Sequence, residues 1–84
     1  MTTTAEWLKK WFAEHAPDIA LAGGDNFFDQ EAIDSFGIIE LIETVEREFG
    51  IRFTNQMFQD RRFPTIDGLA AIIEEIRADG HGGL

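Results

Sequence analysis

Eighty-four residues carry sixteen acids against seven bases, for a formal net charge of −9, and 44% of them are hydrophobic. That length supports one domain with a small core, and the hydrophobic share excludes a disordered acidic segment. The charge disfavours nucleic acid and anionic membrane surfaces, and the lack of cysteine excludes a disulfide framework or a thiolate site.

In chain order, the opening MTTTAEWLKKWF has no charged region followed by an apolar run, so it does not read as a secretory signal. No stretch approaches the ~18 apolar residues of a membrane span. A cytoplasmic monomer is the expectation. The first helix is predicted from about Ala5 to Ala16. Thr3 and Glu6 have the capping-box spacing, Trp7, Leu8, Trp11 and Phe12 form the apolar stripe, and Pro17 ends the helix. A long connection follows, broken at Gly23-Gly24-Asp25-Asn26. It carries Ile19, Leu21, Phe27, Phe28 and Ile33, which predict an ordered loop pinned over the core by its apolar side chains.

The second helix is predicted over Ser35–Phe49, with Gly50 at the glycine C-terminal position. Its core stripe is Ile38, Leu41, Ile42, Val45 and Phe49. Residues 51–53 (IRF) read as extended. Thr54 then caps a short helix from about Asn55 to Asp60, anchored inward by Met57 and Phe58. After Phe63-Pro64, Thr65 caps a last helix from about Ile66 to Ala78, whose stripe is Ile66, Leu69, Ala70, Ile73 and Ile76. Residues 1–4 and 79–84 are expected to be flexible. The sum is an all-α single domain over residues 1–84: a four-helix bundle of three longer helices and a short third one, with a long loop between the first two.

Removing the core stripe from the second helix leaves a second face. Ser35, Ile39 and Glu43 recur at four, and Phe36, Glu40, Glu43 and Arg47 run alongside. A small apolar patch beside a serine, ringed by Glu40, Glu43 and Glu46, has the composition of a docking surface. Equally, Phe36 could tuck under the loop and Ile39 could be an ordinary exposed residue. Asp34-Ser35 can be read as nothing more than a helix start. A helix N-terminus nevertheless offers free N–H groups and partial positive charge, which suits a phosphodiester on a first-turn serine.

Enzyme chemistry is not expected, because Ser35 has no evident base. His15 lies at the end of the first helix and His81 in the tail. The acids Asp25, Asp29, Glu31 and Asp34 do not make a calcium loop. Counted from Asp29, Ile33 falls where a ligand is needed and Asp34 where glycine is needed. No metal site is predicted.

The stretch FFDQEAIDSFGIIELIETVEREFGIRF (27–53) resembles the core of the acyl carrier protein family. The likeness extends over about residues 5–78 in length, charge, helix spacing and long first loop. Residues 28–37 and the segment MFQDRRFPTIDGLAAII resemble more closely the D-alanine carrier proteins and stand-alone aminoacyl carrier proteins. Phe36 and Gly37 stand where fatty acid carriers usually have Leu and an acid, and Arg61 and Arg62 interrupt the acidic surface. The resemblance implies 4′-phosphopantetheine attached to Ser35 by a phosphopantetheinyl transferase using Mg²⁺ and coenzyme A, with Asp34 helping the transferase recognise the serine. The arm's thiol would carry an acyl or aminoacyl thioester. Phe36, Gly37, Ile39, Glu40, Glu43 and Arg47 would meet partners, namely the transferase and an adenylating ligase or synthase with a basic docking patch. Gly37 would let a partner or the arm approach the backbone. The rival reading is an unmodified helical interaction module that docks through the same face.

Overall fold

The computed structural model describes residues 3–82, and side chains for residues 3–78. Four helices follow in order: α1 (Thr4–His15), α2 (Ser35–Phe49), α3 (Asn55–Phe58) and α4 (Ile66–Gly82). Among the described residues the only sheet-like pairing is one isolated antiparallel bridge, Asn26 with Thr65. The expected all-α bundle is therefore the observed architecture.

The helix starts follow local chemistry. Thr3 accepts the Glu6 N–H at 3.1 Å, and Asp34 accepts the Gly37 N–H at 2.7 Å, each satisfying an amide that has no partner within its helix. Gly50 closes α2 at φ 65°, ψ 38°, a left-handed conformation that glycine adopts at low cost. α1 begins one residue earlier than predicted, and Thr4 is buried with its hydroxyl donating to Glu74 of α4. α1 packs chiefly against α4.

The core combines Leu8, Trp11 and Phe12 of α1 with Leu41, Ile42 and Val45 of α2 and Ile66, Leu69, Ala70, Ile72 and Ile73 of α4. Ile38, Phe49 and Ile76, at the edges of the predicted stripes, are half-buried against it. Ile72 is an addition, because α4 is covered on a wider arc than one stripe.

The long loop is held as expected, with Phe27 fully buried and Ile19, Leu21 and Ile33 packed on the core. Its backbone ties were not legible in the sequence. Phe27 N–H donates to the Pro64 carbonyl at 2.8 Å, and Asp67 N–H to the Gly23 carbonyl at 3.0 Å. The loop is thus stitched to the turn before α4 and to the first turn of α4. A radius of gyration of 12.4 Å is close to the ~12 Å of a compact chain this long, so the loop adds no extension.

Several expectations need correction. Phe28 remains 41% exposed and Phe58 45% exposed, so neither is an inward anchor. Both lean on aromatic neighbours instead, Phe28 on Phe27 and Phe58 on Phe53 and Phe63. α3 stops at Phe58, before Asp60. α4 continues past Ala78 to Gly82, so the backbone of residues 79–82 is helical where a tail was expected. Residues 1, 2, 83 and 84 of the expected flexible ends lie outside the described residues.

Arg62 is an exposed cation within the acidic surface, and it is paired there. Its guanidinium bonds Asp60 at 2.8 Å and Glu75 at 2.5 Å, joining the turn before α4 to α4 itself. That pairing holds the Asp60 carboxyl down at about 2 and Glu75 below its ordinary range. Folding depresses both carboxyls. Their small contribution, limited by solvent screening, is present above the ordinary carboxylate range and fades as pH falls toward 2.

Gly68 sits in the first turn of α4, where a Cβ would overlap the Arg62 carbonyl oxygen. Alanine normally exceeds glycine in a helix by about 1 kcal/mol. Here backbone meets backbone, and Gly68→Ala is expected to lose about 1–3 kcal/mol instead. Urea denaturation checks the sign, and a gain in stability would mean the turn can move away from α4.

Candidate functional site

At about 100° per residue, α2 divides into two arcs. Ile38, Leu41, Ile42, Val45 and Phe49 occupy the core arc. Phe36, Glu40, Glu43 and Arg47 fall on the opposite arc, with Ser35 and Ile39 at its edge. Phe36 is 84% exposed and Ile39 57% exposed, so Phe36 does not tuck under the loop and the outer face carries a real apolar patch. Glu40, Glu43 and Arg47 are exposed beside it.

Glu46 leaves the acidic ring. Its carboxylate accepts the Phe53 N–H at 2.8 Å and fixes the extended segment after α2. The pattern of acids along α2 could not distinguish this holding role from a docking role.

The helix start gives its two first residues different roles. Asp34 makes the cap, and its backbone carbonyl accepts the Ile38 N–H at 2.9 Å. Ser35 is the first helical residue and is exposed, and the cap does not use its hydroxyl. Gly37 has a local reason for lacking a side chain. A Cβ there would stand 2.9 Å from Ile33 Cγ1 and 3.2 Å from Asp34 Oδ1, crowding the cap that begins the helix.

His15 is held on α1 and faces Glu40. Its ring stacks on Trp11 at 3.8 Å, with Nδ1 2.8 Å from the Trp11 carbonyl oxygen and Nε2 3.8 Å from Glu40 Oε1. Its place in the last turn of α1 suits the negative end of the helix. Among the described residues no three or more His, Cys, Asp or Glu side chains gather to hold a metal. No helix there is long and apolar enough to cross a membrane.

Two hollows flank the start of α2. A cleft of about 570 Å³ lies toward α1, with Trp11, His15, Phe28, Glu31, Asp34 and Gly37 in its lining. A narrower groove of about 240 Å³ lies between α2 and α3, formed by Ile38, Ile39, Ile42, Glu43 and Phe58. The groove is on the side of Ser35, since Ser35, Ile39 and Ile42 follow at i, i+4 and i+7. The exposure of Phe58, unexpected from the sequence, is what gives the groove its far wall.

Against known proteins, residues 6–73 match a family model described as a phosphopantetheine attachment site. The chain is 32% identical over 81 residues to the acyl carrier protein of Zymomonas mobilis subsp. mobilis, covering 93% of this chain and 100% of that protein. No solved structure gives a significant match. With the four-helix fold, a match over most of the chain and a full-length relative together, the chain belongs to the acyl carrier protein family, whose members are carriers rather than enzymes and hold a covalent 4′-phosphopantetheine.

Proposed function

We propose that Ser35 is the attachment point, and that the protein passes an acyl or aminoacyl group between partner enzymes. The observation that carries this reading is the division of labour at the start of α2. Asp34 caps the helix, leaving the exposed Ser35 hydroxyl free for modification. The residues present fit the group. Gly37 N–H is taken by Asp34, and the first-turn amides of Ser35 and Phe36, which a helix leaves without internal partners, would suit a phosphate on Ser35 Oγ. This local positive end offsets part of the repulsion from a chain of net charge −9.

In the attachment step, Ser35 Oγ forms a bond to the β-phosphorus of coenzyme A as the P–O bond to 3′,5′-ADP breaks. The serine proton leaves to a base of the transferase. When bound, the group supplies the thiol that this cysteine-free chain lacks. Intact mass after incubation with a phosphopantetheinyl transferase, Mg²⁺ and coenzyme A tests the reading. A gain of one phosphopantetheinyl group supports it, and no gain would favour the unmodified interaction module.

The likeness of Asp34-Ser35-Phe36-Gly37 to the aminoacyl branch favours an aminoacyl cargo. A second reading, an acyl chain, is favoured by the groove, whose lining is carbon except at Glu43 and which lies on the side of Ser35. Loading the modified protein with amino acid and fatty acid adenylating ligases, and reading the thioester by mass, separates the two.

Partners would dock on Phe36, Ile39, Glu40, Glu43 and Arg47 through an apolar recess and a basic patch. Glu40→Lys with Glu43→Lys is expected to lower kcat/KM for the transferase about tenfold while the melting temperature barely moves, because exposed charges act on association more than on folding. Equal losses of stability and modification would contradict this placement of the docking face.

A further inference from the structure

We propose that the cleft between α1 and the start of α2 holds the free α-ammonium of an aminoacyl group carried on the arm, between the Glu31 carboxylate, His15 Nε2 and the Phe28 ring. This rests on the reading of Ser35 as the attachment point, and names the class of cargo that its arm would carry. The cleft, of about 570 Å³, has the size of a small-ligand site. Asp34 and Gly37 of its lining stand on either side of Ser35 in the chain. An arm rooted at Ser35 enters the cleft by turning back toward α1.

The groups here that the fold leaves unused are acceptors. The cap already engages Asp34. Among the described residues the exposed Glu31 carboxylate makes neither a hydrogen bond nor an ion pair, and no lysine or arginine lines the cleft. His15 Nδ1 lies 2.8 Å from the Trp11 carbonyl oxygen, which can only accept, so Nδ1 carries the hydrogen. The neutral imidazole then presents Nε2 as a bare lone pair. That atom faces Glu40 Oε1 at 3.8 Å, too far for a hydrogen bond, so two acceptors meet with no donor between them. A primary ammonium has three N–H donors and no acceptor, which matches this set. The exposed Phe28 ring adds a π-face that attracts a cation. A plain acyl chain gains none of these contacts, and the groove walled by Ile38, Ile39, Ile42 and Phe58 suits it better. The two hollows beside the start of α2 thus differ in the cargo they favour, by charge.

The test uses the full chain, loaded by a phosphopantetheinyl transferase from alanyl-amino-coenzyme A or isobutyryl-amino-coenzyme A. In both an amide replaces the thioester, so the load does not hydrolyse. The two loads share one shape, with an ammonium in the first where the second has a methyl. The alanyl load is expected to shift the amide resonances of His15, Phe28 and Glu31, and the isobutyryl load to leave them where the unacylated arm has them. In Glu31→Gln the alanyl shifts are expected to fall about threefold, the scale of one exposed charge. Equal shifts from both loads overturn the proposal. Alanyl shifts undiminished in Glu31→Gln also overturn it, because the charge would then not matter. Movement confined to Ile39, Ile42 and Phe58 with the alanyl load overturns it by placing the cargo in the groove. If no resonance moves although mass shows the load in place, the proposal fails and Ser35 stands. If the chain takes up neither load, the reading of Ser35 fails and the proposal with it.

Discussion

Ser35→Ala is expected to abolish phosphopantetheine attachment and to leave the fold intact. The loss is complete because the hydroxyl oxygen is the atom that would be bonded to phosphorus, and alanine has nothing to replace it. The fold survives because the cap bond runs from Asp34 to the Gly37 N–H, and the side chain at position 35 is exposed. Alanine is also the better helix former, so the change in stability should stay within about 0.5 kcal/mol. Intact mass and circular dichroism on the same sample check both halves. A mass gain that persists in the variant would place the modification elsewhere. A collapse of helicity would mean that Ser35 shares the capping, so that loss of modification could no longer be read as loss of the acceptor. Asp34→Ala makes the complementary control: it removes the cap, at about 1 kcal/mol, while keeping the acceptor oxygen.

Phe27→Ala is expected to be the most damaging single change to stability, at about 3–5 kcal/mol. The ring is fully buried, stacks on Phe12 at 4.9 Å and meets Phe63 edge-on at 6.3 Å. It fastens the long loop to both α1 and the turn before α4. For a domain of this size each kcal/mol moves the melting temperature by about 4–8 °C, so the variant should melt far below the parent or not fold. Phe28→Ala is the internal control. Same residue type and next in the chain, it is partly exposed, and its removal should cost well under half as much. Thermal and urea melts of the two variants decide the matter. Similar losses from both would mean that the loop is held by its backbone ties to Pro64 and Asp67 rather than by the Phe27 ring.

Much of the architecture follows from local rules. The bounds of α2, its cap at Asp34 and its closure at Gly50 were legible because each depends on neighbours within one helical turn. The core stripes of α1, α2 and α4 were legible because a helix repeats every 3.6 residues, and burying one face forces the pattern into the sequence. The unused arc of α2 followed by subtraction, and likeness to carrier proteins supplied its use.

Other features depend on which segments meet in space, and no local pattern encodes that. Phe27 and Phe28 are identical neighbours in the sequence, yet one fills the core and the other lines a cleft. Glu46 matched its neighbours in the row of acids until the extended segment came within hydrogen-bond distance. Nothing near Arg62 in the sequence marked Glu75 as its partner until α4 brought the two together. Asp34 was legible as the cap, but that its carboxylate makes the cap bond and leaves the Ser35 hydroxyl outside it is seen only in the folded chain. The sequence by itself determined the helices and which of their faces turn inward, because those are set by propensity and period. Only the tertiary structure decided which polar groups are spent on holding the fold and which remain for a partner, because a hydrogen bond between distant segments exists only once the chain has closed on itself.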